Sequence, residues 1–210
     1  RQRGNMDKTF EAEQEHLSTT YAKLQSIERS LQEQLASIFS EVASEKDLIT
    51  DELNFDFDAD IHVETMAELE AVNRIIDTYN IAADVTTERL HRAQLLLKQP
   101  YFAKVTLQFK PGSEPKDVYI GNVGMTDDDY RHFIVDWRSP IAEVYYNQDN
   151  GKTSYEANGR TIDCELKLRR QFDIERDQLK ALFDTTVAIQ DEMLLAALAQ
   201  NRSSRLSAIT

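Results

Sequence analysis

Asp51-Glu52-Leu53-Asn54-Phe55-Asp56-Phe57-Asp58-Ala59-Asp60 is the stretch on which the fold turns. It interrupts two long amphipathic patterns, and from Glu45 to Glu70 the only lysine or arginine is Lys46. On its N-terminal side, Leu17, Tyr21, Leu24, Leu31, Leu35, Ile38 and Val42 recur at heptad-like steps over about 15–48, with Glu28 breaking one position. Such a stripe predicts a long helix with one buried edge. On its C-terminal side, Met66, Leu69, Val72, Ile76, Tyr79, Ala83, Leu90 and Leu97 predict a second helix over about 63–98, with Asn73, Asn80, Thr87 and Gln94 as polar seam residues. Neither proline nor glycine lies between Asn5 and Gln99, and Pro100 ends the second pattern because proline disfavours helix in the residue before it. Two helices of similar length with a short connection predict an antiparallel hairpin. The acidic stretch then forms its distal tip, near 50–62, and residues 1–14 read as a polar, frayed end.

After Pro100 the texture changes. Tyr101 to Phe109 alternates as a half-buried strand, Pro111 to Pro115 is a turn, and Asp117 to Gly121 is a second strand. Asp127-Asp128-Asp129 reads as a loop or capping turn. Arg131–Val135 and Ile141–Tyr146 read as strands separated by Pro140, Asn147–Gly151 as a hairpin turn, and Ile162–Phe172 and Phe172–Phe183 as further strands. Asp184-Thr185 is placed to cap a last helix over about 186–201, packed by Val187, Met193, Leu194 and Leu198. The expected fold is therefore α+β. A long antiparallel helical hairpin (residues 1–100) precedes a small antiparallel β-meander and C-terminal helix (residues 101–210).

Charge narrows the partners. The 210 residues carry a net charge of −13, which repels phosphates and argues against tight nonspecific nucleic-acid binding. Lys167, Arg169 and Arg170 are the best candidates for a local basic patch. The single cysteine, Cys164, allows no internal disulfide and no cysteine-based zinc site, and fits a reducing cytoplasm. No apolar run approaches the roughly 20 residues of a membrane span. The chain opens at Arg1, so its natural start is expected upstream.

Catalytic signatures do not emerge. None of the six glycines opens a Gly-x-x-x-x-Gly-Lys-Ser/Thr loop, and His16, His62, His91 and His132 are scattered without ligand-spaced partners. No catalytic or metal residue is assigned. The acidic tip is the main binding candidate. In an extended backbone Asp56, Asp58 and Asp60 point one way and Phe55, Phe57 and Ala59 the other, and Asp51 and Glu52 add charge. The expectation is docking of these carboxylates into a positively lined cavity. The plainer alternative is that acids before Val63 complement the N-terminal dipole of the second helix. A second notable run is Asp136-Trp137-Arg138-Ser139-Pro140, where Arg138 is suited to a bidentate pair with Asp136 or another carboxylate, or to stacking on an aromatic ring; the run reads as a core anchor at a strand end, with a ligand site as the alternative.

Together, Leu53-Asn54-Phe55-Asp56, Pro100-Tyr101-Phe102, Tyr119-Ile120-Gly121, Val135-Asp136-Trp137-Arg138-Ser139-Pro140-Ile141 with Tyr145-Tyr146, Leu168-Arg169-Arg170-Gln171, and Phe183-Asp184-Thr185 with Asp191-Glu192-Met193-Leu194 resemble the N-terminal region of the bacterial HelD family. These are RNA-polymerase-associated, helicase-like ATPases related to the UvrD/Rep superfamily. The resemblance implies that the helical hairpin enters the secondary channel of RNA polymerase, and that an ATPase portion helps free polymerase from nucleic acid for recycling. It implies ATP and Mg²⁺ as cofactors of a complete protein, and nucleic-acid contact through motor domains. Because the chain ends at Ala208-Ile209-Thr210 without a P-loop, it reads as an N-terminal fragment, monomeric and without a cofactor of its own. Two other readings stand beside this one. One is a coiled-coil adaptor that homodimerises through residues 15–98, and the other is metal-dependent hydrolysis by the carboxylate cluster.

Overall fold

The structure, a computed structural model, describes residues 2–53, 62–147, 151–185 and 200. The chain is α+β. Helices α1 (Gln2–Leu53) and α2 (His62–Lys98) precede strands β1 (Ala103–Gln108), β2 (Lys116–Gly121), β3 (Met125–Thr126) and β4 (His132–Asp136). A 3₁₀ turn (Pro140–Ala142) and the short helix α3 (Glu143–Tyr146) lead to β5 (Gly151–Ala157), β6 (Arg160–Glu175) and β7 (Gln178–Asp184). No described helix is long and apolar enough to cross a membrane. The helix expected over 186–201 lies outside the described residues, apart from helical Gln200. Two compact units are present, Leu24–Gln94 and the combination of Arg1–Lys23 with Leu95–Thr210.

The unit of residues 24–94 is a pair of helical segments. Leu24, Leu31, Ala83, Leu90 and Ala93 are its buried side chains, flanked by half-buried Ile38, Val42, Leu69, Val72, Ile76 and Tyr79. The Tyr79 hydroxyl bonds Glu41, whose carboxylate raises the phenol's pKa. That contact settles the direction of the pair. With parallel helices, Tyr79 beside Glu41 would leave His62 about 44 Å from Leu53, whereas the nine residue steps between them reach about 32 Å at most. The helices therefore run antiparallel. The seam of α2 follows Leu69, Val72, Ile76, Tyr79, Ala83, Thr86, Leu90, Ala93 and Leu97, an unbroken alternation of three- and four-residue steps. Asn73, Asn80 and Gln94, expected in that seam, are exposed, as is Met66. They sit one position off the stripe, where water solvates the amides at no cost.

In the second unit, residues 2–14 are helical rather than frayed. Phe10 packs on the cluster of Leu17, Tyr101, Tyr119, Phe172, Ile174 and Leu179, so the stripe continues one helical turn and more before Leu17. This cluster covers one face of a seven-stranded sheet ordered β3-β4-β2-β1-β6-β5, with β7 also paired to β6. The other face buries Phe102, Val105, Leu107, Ile120, Trp137, Val144, Tyr145 and Leu166. Alternation along β1 sends Val105 and Leu107 to that second face, and Lys104 to the face under α1.

Two expectations need correction here. The sheet is antiparallel except for β2 and β4, which pair in parallel through Ile120–Val135 and Gly121–Asp136, so it is not a simple meander. The short strand β3 carries the chain back before β4, and thus allows a same-direction neighbour. Ile141–Tyr146 is also not a strand. Pro140 starts a 3₁₀ turn after extended Ser139, and α3 follows. The buried Arg169 guanidinium donates to the carbonyls of Val144 and Asn147, satisfying acceptors that a helix end leaves without partners.

Gly121 marks the tightest approach. A Cβ there would lie 2.7 Å from the Pro100 carbonyl oxygen and 2.9 Å from Ile134 Cγ2. Gly121→Ala is expected to lower stability by about 1–3 kcal/mol in urea unfolding, because the backbone oxygen cannot swing aside as a side chain would. A change below about 0.5 kcal/mol would show that β2 and β4 have slack there.

Candidate functional site

The acidic candidates are placed only in part. Asp51 and Glu52 belong to the last turn of α1, while Asp56, Asp58 and Asp60 lie outside the described residues. Asp136, Trp137, Arg138 and Pro140 form a locked corner between β4 and the 3₁₀ turn. Asp136 Oδ1 accepts the Arg138 backbone N–H at 2.8 Å and Arg138 Nε at 3.0 Å, and Oδ2 accepts Nη2 at 2.8 Å. Ser139 Oγ donates to the Asp136 carbonyl at 2.6 Å. Trp137 is buried, with its ring edge-on to Tyr146, and its backbone N–H donates to the Gly121 carbonyl. The bonds to Asp136 raise the Arg138 pKa and engage the Nε–Nη2 edge of its guanidinium. This run therefore closes a corner and buries an aromatic anchor.

Among the described residues, a buried polar cluster centred on α1 has no counterpart in the sequence-based expectations. Glu13, 5% exposed, sits on α1 over the sheet. Its Oε1 accepts Lys104 Nζ at 2.7 Å and Arg170 Nη1 at 2.8 Å, and its Oε2 accepts the Tyr119 hydroxyl at 3.2 Å. Arg170 reaches onward to Asp184 with Nε at 2.6 Å and Nη2 at 3.1 Å, and Lys104 also lies 3.5 Å from Asp117. Burial opposes the Arg170 charge, but the bonds to Asp184 and Glu13 outweigh it and its pKa rises. Burial, reinforced by the Glu13 carboxylate, pushes the Tyr119 hydroxyl up, so it stays a donor. The signal for this cluster was charge at apolar phases. Glu13 stands between Phe10 and Leu17 on the buried stripe, and Lys104 and Arg170 stand on alternating strands. The expected basic patch is dissolved by the same geometry: Arg169 and Arg170 are buried, and Lys167 pairs with Glu165 at 3.0 Å.

A second contact ties α1 to the β3–β4 turn. Lys23 Nζ lies 4.7 Å above the Phe133 ring and 3.6 Å from Asp127. Asp127 Oδ1 accepts the backbone N–H groups of Asp129 and Arg131; the bond from Arg131 is the main cause of its lowered pKa. Cys164 is buried, and desolvation raises its thiol pKa, which makes it a poor nucleophile. Among the described residues no group of three or more His, Cys, Asp or Glu side chains is placed to hold a metal ion. Gly151-Lys152-Thr153 has the end of a Gly-x-x-x-x-Gly-Lys-Ser/Thr loop, but Tyr146 stands where its first glycine is required, and Gly151 opens strand β5.

Fold and site together define a module of paired long helices and a mixed sheet, braced by a buried carboxylate. The family described as DNA helicase IV HelD, N-terminal domain, matches residues 10–200. The chain belongs to that family. No curated protein matches it.

His16 gives the site a pH signature. Its ring stacks on Tyr119 at 4.0 Å, and desolvation, the largest influence, lowers its pKa despite the nearby Glu13 carboxylate. A histidine depressed in the fold favours the neutral form there. Its contribution is complete above the unfolded pKa of about 6.5 and is lost as pH falls through the lower folded value. Stability measured by urea unfolding is expected to fall from pH 7.5 to pH 5.5, and His16→Phe, which keeps the stacked ring, should flatten that slope. An identical slope in the variant would remove His16 from the acid response.

Proposed function

We propose that this chain is the RNA-polymerase-binding part of a HelD-type helicase-like ATPase, and that the acidic connection between α1 and α2 inserts into the polymerase secondary channel. The whole protein would then use ATP and Mg²⁺ in other domains to help release nucleic acid and recycle polymerase. Membership of the family over residues 10–200 supports the helicase-associated setting. The observation that carries the binding role is the antiparallel pairing of two long helices across a segment containing Asp56, Asp58 and Asp60. Residues 24–53 alone span about 45 Å of helix, enough to carry carboxylates into a deep channel.

The proposed recognition is electrostatic. Carboxylates concentrated on a narrow element meet a basic channel wall, which accelerates encounter and makes binding salt-sensitive. The net charge of −13 supports a protein channel over a nucleic-acid backbone as the primary contact.

Replacing Asp56, Asp58 and Asp60 together with Asn tests this directly. Capture by core RNA polymerase at low salt is expected to weaken by about tenfold or more, with the circular dichroism of the chain unchanged. Deleting residues 50–62 should abolish capture. Unchanged affinity in the triple variant, at both low and moderate salt, would take the acidic connection out of the interaction.

A further inference from the structure

Consecutive residues of α1 hold the two ends of β7. At the start of the strand, Gln14 Oε1 accepts the Leu179 N–H at 2.9 Å and its Nε2 donates to the Asp177 carbonyl at 2.8 Å. One side-chain amide thus offers β7 the donor and acceptor that a neighbouring strand would. At the far end, Glu13 holds Arg170, and Arg170 holds Asp184, the last residue of β7, with two bonds. The Leu179 side chain is buried in the same cluster as Leu17, against which Phe10 and Leu182 also pack. Among the described residues β7 pairs with β6 alone, so its second edge depends on α1.

We infer that α1 is a single-register clamp on β7, so that an axial shift of α1 releases β7 and frees the point at which the chain leaves the sheet. The register argument is chemical. A shift of one helical turn, about 5.4 Å, moves each side chain's place to residues four away. Thr9 or Leu17 would then replace Glu13, and Phe10 or Ser18 would replace Gln14. Leu17 and Phe10 supply no hydrogen-bonding group, and Thr9 and Ser18 are too short and lack the paired acceptor and donor of an amide. A three-residue slip fares no better: Phe10 or His16 would face Arg170, and Glu11 or Leu17 the backbone of Asp177–Leu179. Release at the Gln14 end leaves the Leu179 N–H and the Asp177 carbonyl without their partner, and release at the other end leaves Arg170, which holds Asp184, without Glu13. The exit is itself anchored by the Thr185 N–H to the Arg169 carbonyl at 2.8 Å, next to the residue that Glu13 holds. The clamp concerns only α1 and the sheet, and stands whether or not polymerase is the partner.

Hydrogen exchange on the full chain tests it, with Gln14→Ala deciding because Gln14 lies outside the ion cluster, and Glu13→Gln as the companion. In Gln14→Ala, amides of residues 178–185 are expected to exchange about tenfold faster or more, while those of β1 and β2 keep their protection. Glu13→Gln should accelerate the same amides, starting from the Asp184 end. Unchanged protection of β7 in Gln14→Ala would overturn the clamp. So would a loss spread equally over β1, β2 and β7, which is what a merely structural contact predicts.

Discussion

The Glu13 carboxylate is the constraint from which much of the sheet-bearing unit follows. Removing a carboxylate from water costs several kcal/mol, and an unpaired one would neutralise or expel the helix that carries it. Here the cost is offset by three donors from three strands: Lys104 of β1, Tyr119 of β2 and Arg170 of β6. A buried ion arrangement contributes little net stability compared with apolar packing, but it is unforgiving of position. It therefore sets where α1 lies along and around its axis, while Phe10, Leu17 and their aromatic partners provide the burial. Lys23 adds a second fixed point through Asp127 and Phe133.

Helix α1 continues from the sheet-bearing unit into the helical one and ends at Leu53, at the start of the acidic connection. The paired segments of residues 24–94 are held by a seam of modest side chains, among them Ala83 and Ala93, and by Tyr79 to Glu41. Small seam residues let two helices approach closely, which makes a slender, stiff support. Under the proposed function, such a support would present the acidic connection with little loss of conformational entropy on docking.

Much of this was legible from periodicity. Leu24, Leu31, Leu90 and Pro100 announce the helix pair and its end, because heptad spacing and a proline are local signals. The strands β1, β2 and β6 were legible from alternation. What escaped is what depends on non-local partners. Glu13 looked like part of a polar end, since its partners are 91 to 157 residues away. Ile141–Tyr146 has strand-like composition, yet Pro140 and the carbonyl-binding Arg169 favour helical turns. The parallel β2–β4 pairing depends on the close approach at Gly121, which composition does not reveal. Asp136 and Arg138 form a bidentate pair, one of the arrangements their sequence left open, whereas Asp56, Asp58 and Asp60 lie outside the described residues.

Glu13→Ala, followed by urea unfolding at neutral pH, measures most directly whether α1 is pinned by its buried carboxylate. Truncation leaves Lys104 and Arg170 as buried cations short of a partner, and the expected loss is about 3–5 kcal/mol. A loss under about 1 kcal/mol, the range of an exposed ion pair, would mean that apolar packing alone positions the helix and that the carboxylate is incidental.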